Sequence, residues 1–278
     1  MSWQRRPAGT IAAYLALTAA VLLALFPVFW TVSTSIKDRI TSFAMPPVFF
    51  DFTPVTKNYA ALFASPVFRD VYLNTIVVTL GSTLLTVAAG SACAYALSRW
   101  RRFPGRRPLE VGLILVRAIP AVVLMVPLFK LVVVLGLYDN RWFMMLVYAA
   151  INLPFAVWLM TSFIDQIPRQ LEESALVDGA SRLVVVTRIV LPLAAPGMAA
   201  TTVFIALLAW NEFLIPVMLA GERAKTLPVY IAGFISARNL DWGPMAAASS
   251  LAILPIALVT VVIQRYLVGG LGAGAVKE

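Results

Sequence analysis

Apolar positions in this chain fall in unbroken blocks, not at the alternate spacing of a half-buried strand or the three-and-four spacing of a surface helix. The first block runs from Thr10 to Ile36, and five more follow at Tyr72–Leu97, Leu109–Leu135, Trp142–Phe163, Met198–Ala220 and Met245–Leu267. Each exceeds the roughly 20 residues a helix needs to cross the hydrocarbon of a bilayer. Only helices and closed barrels satisfy backbone polar groups inside lipid, so the pattern predicts an all-α integral membrane protein with six transmembrane helices. Arg5 and Arg6 precede the first block as they would in a signal peptide. That block is too long for a signal's apolar region and no small-residue cleavage site follows it, so it reads as a retained span.

The polar connections set the orientation. "RWRRFPGRRP" (Arg99 to Pro108) places five arginines between the second and third blocks. An excess of Arg and Lys marks a cytoplasmic loop, which predicts an N-in/C-in arrangement and puts the connection between blocks four and five inside as well. Lys37–Val71, the turn "GLYDNR" and Gly221–Pro244 then lie outside. The first of these is Pro-broken and aromatic, and its last part suits a short interfacial helix with Tyr59 and Phe63 on one face. Pro120, Pro127, Pro154, Pro216 and Pro255 fall inside blocks, where each removes a backbone bond and tends to bend its helix. Bent helices suit a transport path and an ordinary packed bundle equally.

Composition sharpens what the chain does not do. Apolar residues make up 61% and charged residues 13% of 278 positions, so lipid is its main solvent. The formal charge of +9 follows from basic residues between apolar blocks, not from a nucleic-acid surface, and no nucleic-acid partner is expected. Cys93 is the single cysteine and lies in an apolar block, where it reads as a packing residue. With no histidine, His-based triads, zinc sites and imidazole relays are excluded. No G-x-x-x-x-G-K-[ST] loop occurs either. The expectation is a chain with no catalytic residues, no metal site and no cofactor of its own.

One connection is richer than a turn. Between blocks four and five stands "EESALVDGASRLVVVTRIVLPLAAPG" (Glu172 to Gly197). Pro168 suits a first helical position, with Asp165 or Gln166 near the cap and Glu172 and Glu173 at the positive end of the helix dipole. Leu171, Ala175 and Leu176 form a small apolar stripe. Asp178-Gly179 reads as a helix stop, Ser181 as the cap of a second helix and Pro192 as its end. The β-branched run "LVVVTRIV" alone would suggest a strand, but it leads straight into a membrane span. The result is a helix–Gly–helix element displaying carboxylates and small residues, which fits a docking element or a solvated linker.

The spacing in this segment resembles the EAA loop of permease subunits of ABC importers: E-A-A, three residues, G, nine residues, I, one residue, L-P. Here it reads Glu173-Ser174-Ala175, Gly179, Ile189 and Leu191-Pro192, with Ser174 in place of the usual Ala. "NLPFAVWLMTSFIDQIPRQLEESALVDGA", "AWNEFLIPVML" and "QRYLVGGLGAGAVKE" are similar to the fourth span with its loop, the fifth span and the tail of maltose-transporter MalG-like permeases.

The resemblance covers most of the chain and implies the type I ABC importer permease fold. It divides the chain into a first helix with an outer segment (1–71), a permease core (72–267) with a cytoplasmic coupling loop (165–197), and a tail (268–278). It also implies that Glu172, Glu173, Ala175, Asp178, Gly179, Ala180, Ile189, Leu191 and Pro192 serve coupling to a cytoplasmic ATPase, which binds the ATP and Mg. The implied partners are a second permease subunit, two ATP-binding cassette subunits and an extracytoplasmic solute-binding protein. The implied cargo is a sugar or polyol.

Polar groups inside spans are costly and usually face the bundle interior or water. Trp210, Asn211 and Glu212 sit in the fifth block, where an indole can stack on a sugar ring while the other two bond hydroxyls. Asn152 is a further candidate for the path. Packing against a neighbouring helix explains each of them as well. Arg117 either pairs with a carboxylate across the bundle or reaches back to the cytoplasmic interface, and Lys130 snorkels outward. The rival readings are an ion-gradient-driven secondary transporter, a membrane scaffold or insertase, and an ABC permease for a non-sugar solute.

Overall fold

The computed structural model describes residues 7–100, 105–235 and 241–272. Arg5, Arg6, two of the arginines of the basic connection (residues 101 and 102) and the end of the tail lie outside the described residues. Among those described the chain is helical, with no strand. In chain order the helices are α1 (Pro7–Ser35), α2 (Arg39–Ser42), α3 (Lys57–Ala64), α4 (Pro66–Arg99), α5 (Arg106–Ala118), α6 (Ala121–Val134) and α7 (Arg141–Ile164). They continue with α8 (Gln170–Val177), α9 (Arg182–Val185), a π-helical turn (Val186–Val190), α10 (Leu191–Leu193), α11 (Ala195–Trp210), α12 (Leu214–Leu219), α13 (Leu227–Ala232) and α14 (Trp242–Gly272).

Four helices are long and apolar enough to cross a membrane, and the number rises to six if each of two bent pairs is one span. The third block is one of those pairs, bent at a proline as expected, and the other joins Arg182–Leu193 to α11 with its bend just before the fifth block. α5 and α6 meet at 90° around Ile119 and Pro120. Pro120 has no N–H to continue the α5 ladder and disfavours helical backbone at Ile119, which is extended (ψ 122). The fifth block stops at Trp210 and restarts at Leu214. The second block begins six residues before its expected start, at Pro66.

By internal contact the chain divides into two units, Met1–Arg69 with Ile231–Leu254, and Asp70–Tyr230 with Pro255–Glu278. In the first unit, α1 leaves its apolar side chains exposed along its length, as a lipid-facing helix does. Just past its end the Lys37 side chain is buried. Its Nζ donates to the Val48 carbonyl at 2.6 Å and lies over the rings of Trp30 (4.3 Å) and Phe52 (5.0 Å). Asn58 on α3 donates to the carbonyls of Ser35 and Lys37, and the Tyr59 hydroxyl bonds Ser35 Oγ at 2.7 Å. Tyr59 therefore ties α3 to α1. Only Phe63 keeps the exposed, interfacial character expected of both.

In the second unit α7 is the hub, packed against α5 and α11. One core gathers Val78, Val132, Met144, Tyr148, Ile215 and Leu219, and another gathers Leu97, Val157, Met160, Ile164, Val185 and Val190. α4 and α7 approach so closely at Gly90 that a Cβ there would stand 2.8 Å from that of Ala156. Cys93, expected to be a packing residue, is exposed on α4, where it lines an open groove with Leu109, Leu113, Leu153 and Val157. Arg117 is exposed, and its guanidinium lies over the Phe155 ring at 4.9 Å. Lys130 is exposed on α6, open for its stem to reach an interface.

Candidate functional site

The segment between α7 and α11 forms as two short helices joined at a glycine, beginning later than expected. α7 ends at Ile164, Asp165 closes it as the C-cap, and α8 starts only at Gln170 with Arg169 before it. Neither Asp165 nor Gln166 caps α8, and Pro168 lies outside it. The stop falls where the sequence put it. Gly179 has φ +87, which an L side chain rarely adopts. Its N–H bonds the Leu176 carbonyl at 3.1 Å, and the next N–H, of Ala180, bonds the Ala175 carbonyl at 2.9 Å. This crossed pair satisfies two of the carbonyls a helix end leaves open, and only a left-handed residue allows it. Ala175 and Ala180 meet the core beside that turn.

Ser181 then caps α9, its Oγ accepting from the Val184 N–H at 3.4 Å. The β-branched run forms no strand; it widens into the π-helical turn holding Ile189. Pro192 explains the widening, since it has no N–H to give and its ring crowds the carbonyl four residues back. Pro192 itself lies within α10, so the second helix ends one residue past the expected point, at Leu193. There the chain bends by 72° into α11.

Glu172 and Glu173 part company. Glu173 is exposed. Glu172 is buried, which corrects the expectation that both carboxylates are displayed. Its Oε1 accepts from Arg99 Nε at 2.6 Å and its Oε2 from the Tyr95 hydroxyl at 2.9 Å. The Arg99 fork also reaches Ser98 Oγ at 2.9 Å and the Ile167 carbonyl at 3.2 Å. Arg169 donates to the Ser98 carbonyl at 2.6 Å, Ser98 Oγ bonds Asp165, and Asp165 lies 3.6 Å from Arg106. Sequence reasoning missed this network. Arg99 had been read only as a marker of orientation, and nothing local pairs it with a glutamate 73 positions on.

Around the Gly179 turn the surface is apolar. Leu171, Leu176, Val177 and Leu183 are all exposed, Val177 to 87%, with Glu173 and Asp178 among them. Leu171 and Leu176 belonged to the expected stripe, whereas Val177 and Leu183 did not. Ile189 and Leu191 are half-buried and Pro192 is exposed. Four large apolar side chains exposed together in this way offer a surface that a partner or lipid can cover.

The second group lies at the gap between α11 and α12. Trp210 is buried, edge-on to Tyr72 with ring centroids 6.1 Å apart. It borders an apolar cavity of about 220 Å³ with Ile76, Thr79, Pro255 and Val259. The buried Thr79 hydroxyl has no hydrogen-bond partner among the described residues. Asn211 closes α11 and is exposed, its Nδ2 donating to the Leu207 carbonyl at 2.8 Å. Glu212 opens α12, its Oε1 accepting from the Ile215 N–H at 3.1 Å. Both residues stand at a break, not along a continuous span. Asn152 is buried on α7 and donates to the Tyr148 carbonyl of its own helix. No hydrogen bond joins it to Asn211 or Glu212 among the described residues.

Known proteins are similar to this chain along nearly its whole length. The chain is 32% identical to the inner membrane ABC transporter permease protein YcjP of Escherichia coli K12, with 100% of both chains covered. It is 33% identical to the trehalose/maltose transport system permease protein MalG of Thermococcus litoralis, across 95% of this chain and 96% of that one. Its fold superposes with a TM-score of 0.79 and 28% identity on a chain of a bacterial ABC transporter involved in the import of the acidic polysaccharide alginate, covering 96% of this chain and 98% of that one. Residues 86–272, which hold the carboxyl-terminal part of α4, the glycine-stopped helix pair and the Trp210 break, match one family model. The chain belongs to the binding-protein-dependent transport system inner membrane component family.

Proposed function

We propose that this chain is the transmembrane permease subunit of an ATP-driven importer for a sugar or polyol. The observation that carries the reading is the apolar patch around the Gly179 stop, held at the base of the helices in the spacing of an ATPase-coupling loop. In this reading each bent pair is one span, six spans run N-in/C-in, and α8 lies in the cytoplasm against an ATP-binding cassette subunit. Glu173, Asp178 and the exposed leucines supply the contact. Ala175, Gly179 and Ala180 shape the turn, and Ile189, Leu191 and Pro192 shape the exit into α11.

The partner ATPases bind ATP and Mg and do the hydrolysis. A second permease subunit completes the path, and an extracytoplasmic binding protein delivers the cargo. The sugar class rests on what the relatives are named for, trehalose/maltose in one and alginate in the other. Trp210 and the exposed amide of Asn211 match that chemistry, since an aromatic face and hydrogen-bonding groups together suit a hydroxyl-bearing ring.

The test is substitution at Gly179. A Cβ there meets nothing within 4 Å, so alanine would add only backbone strain, about 1–2 kcal/mol. Tryptophan would add the same strain and thrust a ring into the docking face. Gly179→Trp is expected to insert normally and to abolish ATP-driven uptake of a panel of labelled disaccharides and polyols, with Gly179→Ala in between. Full uptake by the tryptophan variant at normal membrane levels overturns the coupling assignment.

A further inference from the structure

α4 differs from the other span-length helices. α1, α7 and α14 each carry an internal proline, at Pro27, Pro154 and Pro255, and the remaining candidate spans are broken pairs. α4 runs 34 residues with its one proline at the first position, where it does no harm. Among the described span-length helices it alone has an uninterrupted hydrogen-bond ladder, and so resists bending most.

Both ends of this rod are fastened to loops distant in sequence. At its carboxyl end Tyr95, Ser98 and Arg99 hold Glu172, Ile167, Asp165 and Arg169, and so grip α8 from one side. At its amino end Asn74 Nδ2 donates to the carbonyls of Arg223 (2.7 Å) and Lys225 (3.2 Å), and Thr75 Oγ1 accepts from the Leu227 N–H at 2.8 Å. The gripped loop is itself stiffened. Asp139 accepts from the N–H groups of Gly221, Arg223 and Ala224 at 2.7–3.0 Å. The 25 residues from Asn74 to Arg99 separate the two grips by about 38 Å at the helical rise, which exceeds the thickness of bilayer hydrocarbon.

We propose that α4 is a rigid strut that carries displacement of α8 to the 221–227 loop on the opposite side of the membrane, with Glu172, Arg99 and Asn74 as its positioning residues. This rests on the reading of α8 as the ATPase-docking helix. A displaced α8 pulls on the Glu172–Arg99 pair, a buried charge-assisted contact that does not slip as a lone van der Waals contact would. The Pro-free helix then moves as one body, and the Asn74 and Thr75 bonds take the loop with it. Paths through α7 or α11 cross a proline or a 72° bend and would lose part of the displacement.

The experiment uses the assembled complex in lipid with a hydrolysis-deficient ATPase partner. A spin label replaces Glu222, whose side chain is 82% exposed, in a Cys93→Ser background. ATP is expected to change the label's spectrum. Glu172→Gln and Asn74→Ala should each cut that change on the order of 3-fold, and the double variant should do no worse than either single, because both open one strut. The charge exchange Arg99→Glu with Glu172→Arg should restore part of the response, which a merely folding-related role would not require. Co-purification with the partner subunits at wild-type amounts confirms that each variant is assembled. A wild-type response that persists in both single variants, or losses that multiply in the double, overturns the strut alone. No wild-type response overturns the coupling reading and the strut with it.

Discussion

Two adjacent polar pairs, Glu172–Glu173 on α8 and Asn211–Glu212 at the gap after α11, make the same demand on an apolar chain and meet it differently. Neighbours on a helix point about 100° apart, so a pair seldom serves one surface. On α8 the inward member, Glu172, is spent on an ion pair with Arg99 and a bond from Tyr95, which leaves Glu173 facing out. At the gap the half-buried member, Glu212, is spent on the Ile215 N–H, and Asn211 faces out with its amide donating to the preceding turn. One inward partner holds two helices together, and the other only starts a helix. A polar residue in such a chain first answers the nearest unpaired group, and what remains exposed is what a partner or solute can use.

The sharpest way to break this comparison is to delete both glutamates of α8 separately. Removing Glu172 strands a guanidinium that is only 14% exposed, so Glu172→Ala should cost about 3–5 kcal/mol of stability. Glu173→Ala should stay within about 0.5 kcal/mol, as exposed changes do, yet lose most uptake. Thermal unfolding in detergent, read beside transport in vesicles, separates the two. Equal stability losses would mean that the pair acts as one surface after all.

The gap pair should show the same split at a smaller scale. Glu212→Ala removes the acceptor that starts α12 and should cost about 0.5–2 kcal/mol. Asn211→Ala should cost less, because the Leu207 carbonyl it serves also accepts the Asn211 N–H at 3.2 Å. If the exposed amide touches cargo, Asn211→Ala raises the half-saturating cargo concentration without lowering the melting temperature. A lowered melting temperature with unchanged cargo dependence would assign Asn211 to packing.

What could be read beforehand follows from how local each cause is. Gly179 and Ser181 were legible because a left-handed stop and a side-chain cap are settled by residues within one turn. The apolar blocks were legible because lipid asks only for length and hydropathy. The same measure hid the break between Trp210 and Leu214, since hydropathy averaged over a block carries no record of where the ladder stops. The Arg99–Glu172 pair was hidden for another reason. Its partners are brought together by the packing of α4 beside the end of α7, and that packing leaves no trace in the spacing of either residue. Arg99 looked like one more arginine in a basic cluster.

A third adjacent pair, Lys37–Asp38, offers the mildest test, because both members are accounted for by the structure around them. Burial among Trp30 and Phe52 holds the Lys37 ammonium below its ordinary pKa, and hydrogen bonds from Thr41 hold the Asp38 carboxyl below its own. The signs then oppose each other in separate windows. The contribution of Asp38 is present above the ordinary carboxyl value of about 3.9 and is lost as pH falls through the lower folded value. Lys37 does the reverse: between its folded value and the ordinary value near 10.4 the unfolded chain binds more protons, so stability there rises with pH. Amide-exchange protection at Thr41 should hold from neutral pH down to about 4 and then fall. Asp38→Asn should keep the cap and flatten that fall, and Lys37→Met should flatten only the alkaline rise. A flat profile in the unaltered chain would show that Asp38, unlike Glu172, is free in solution and open to a partner.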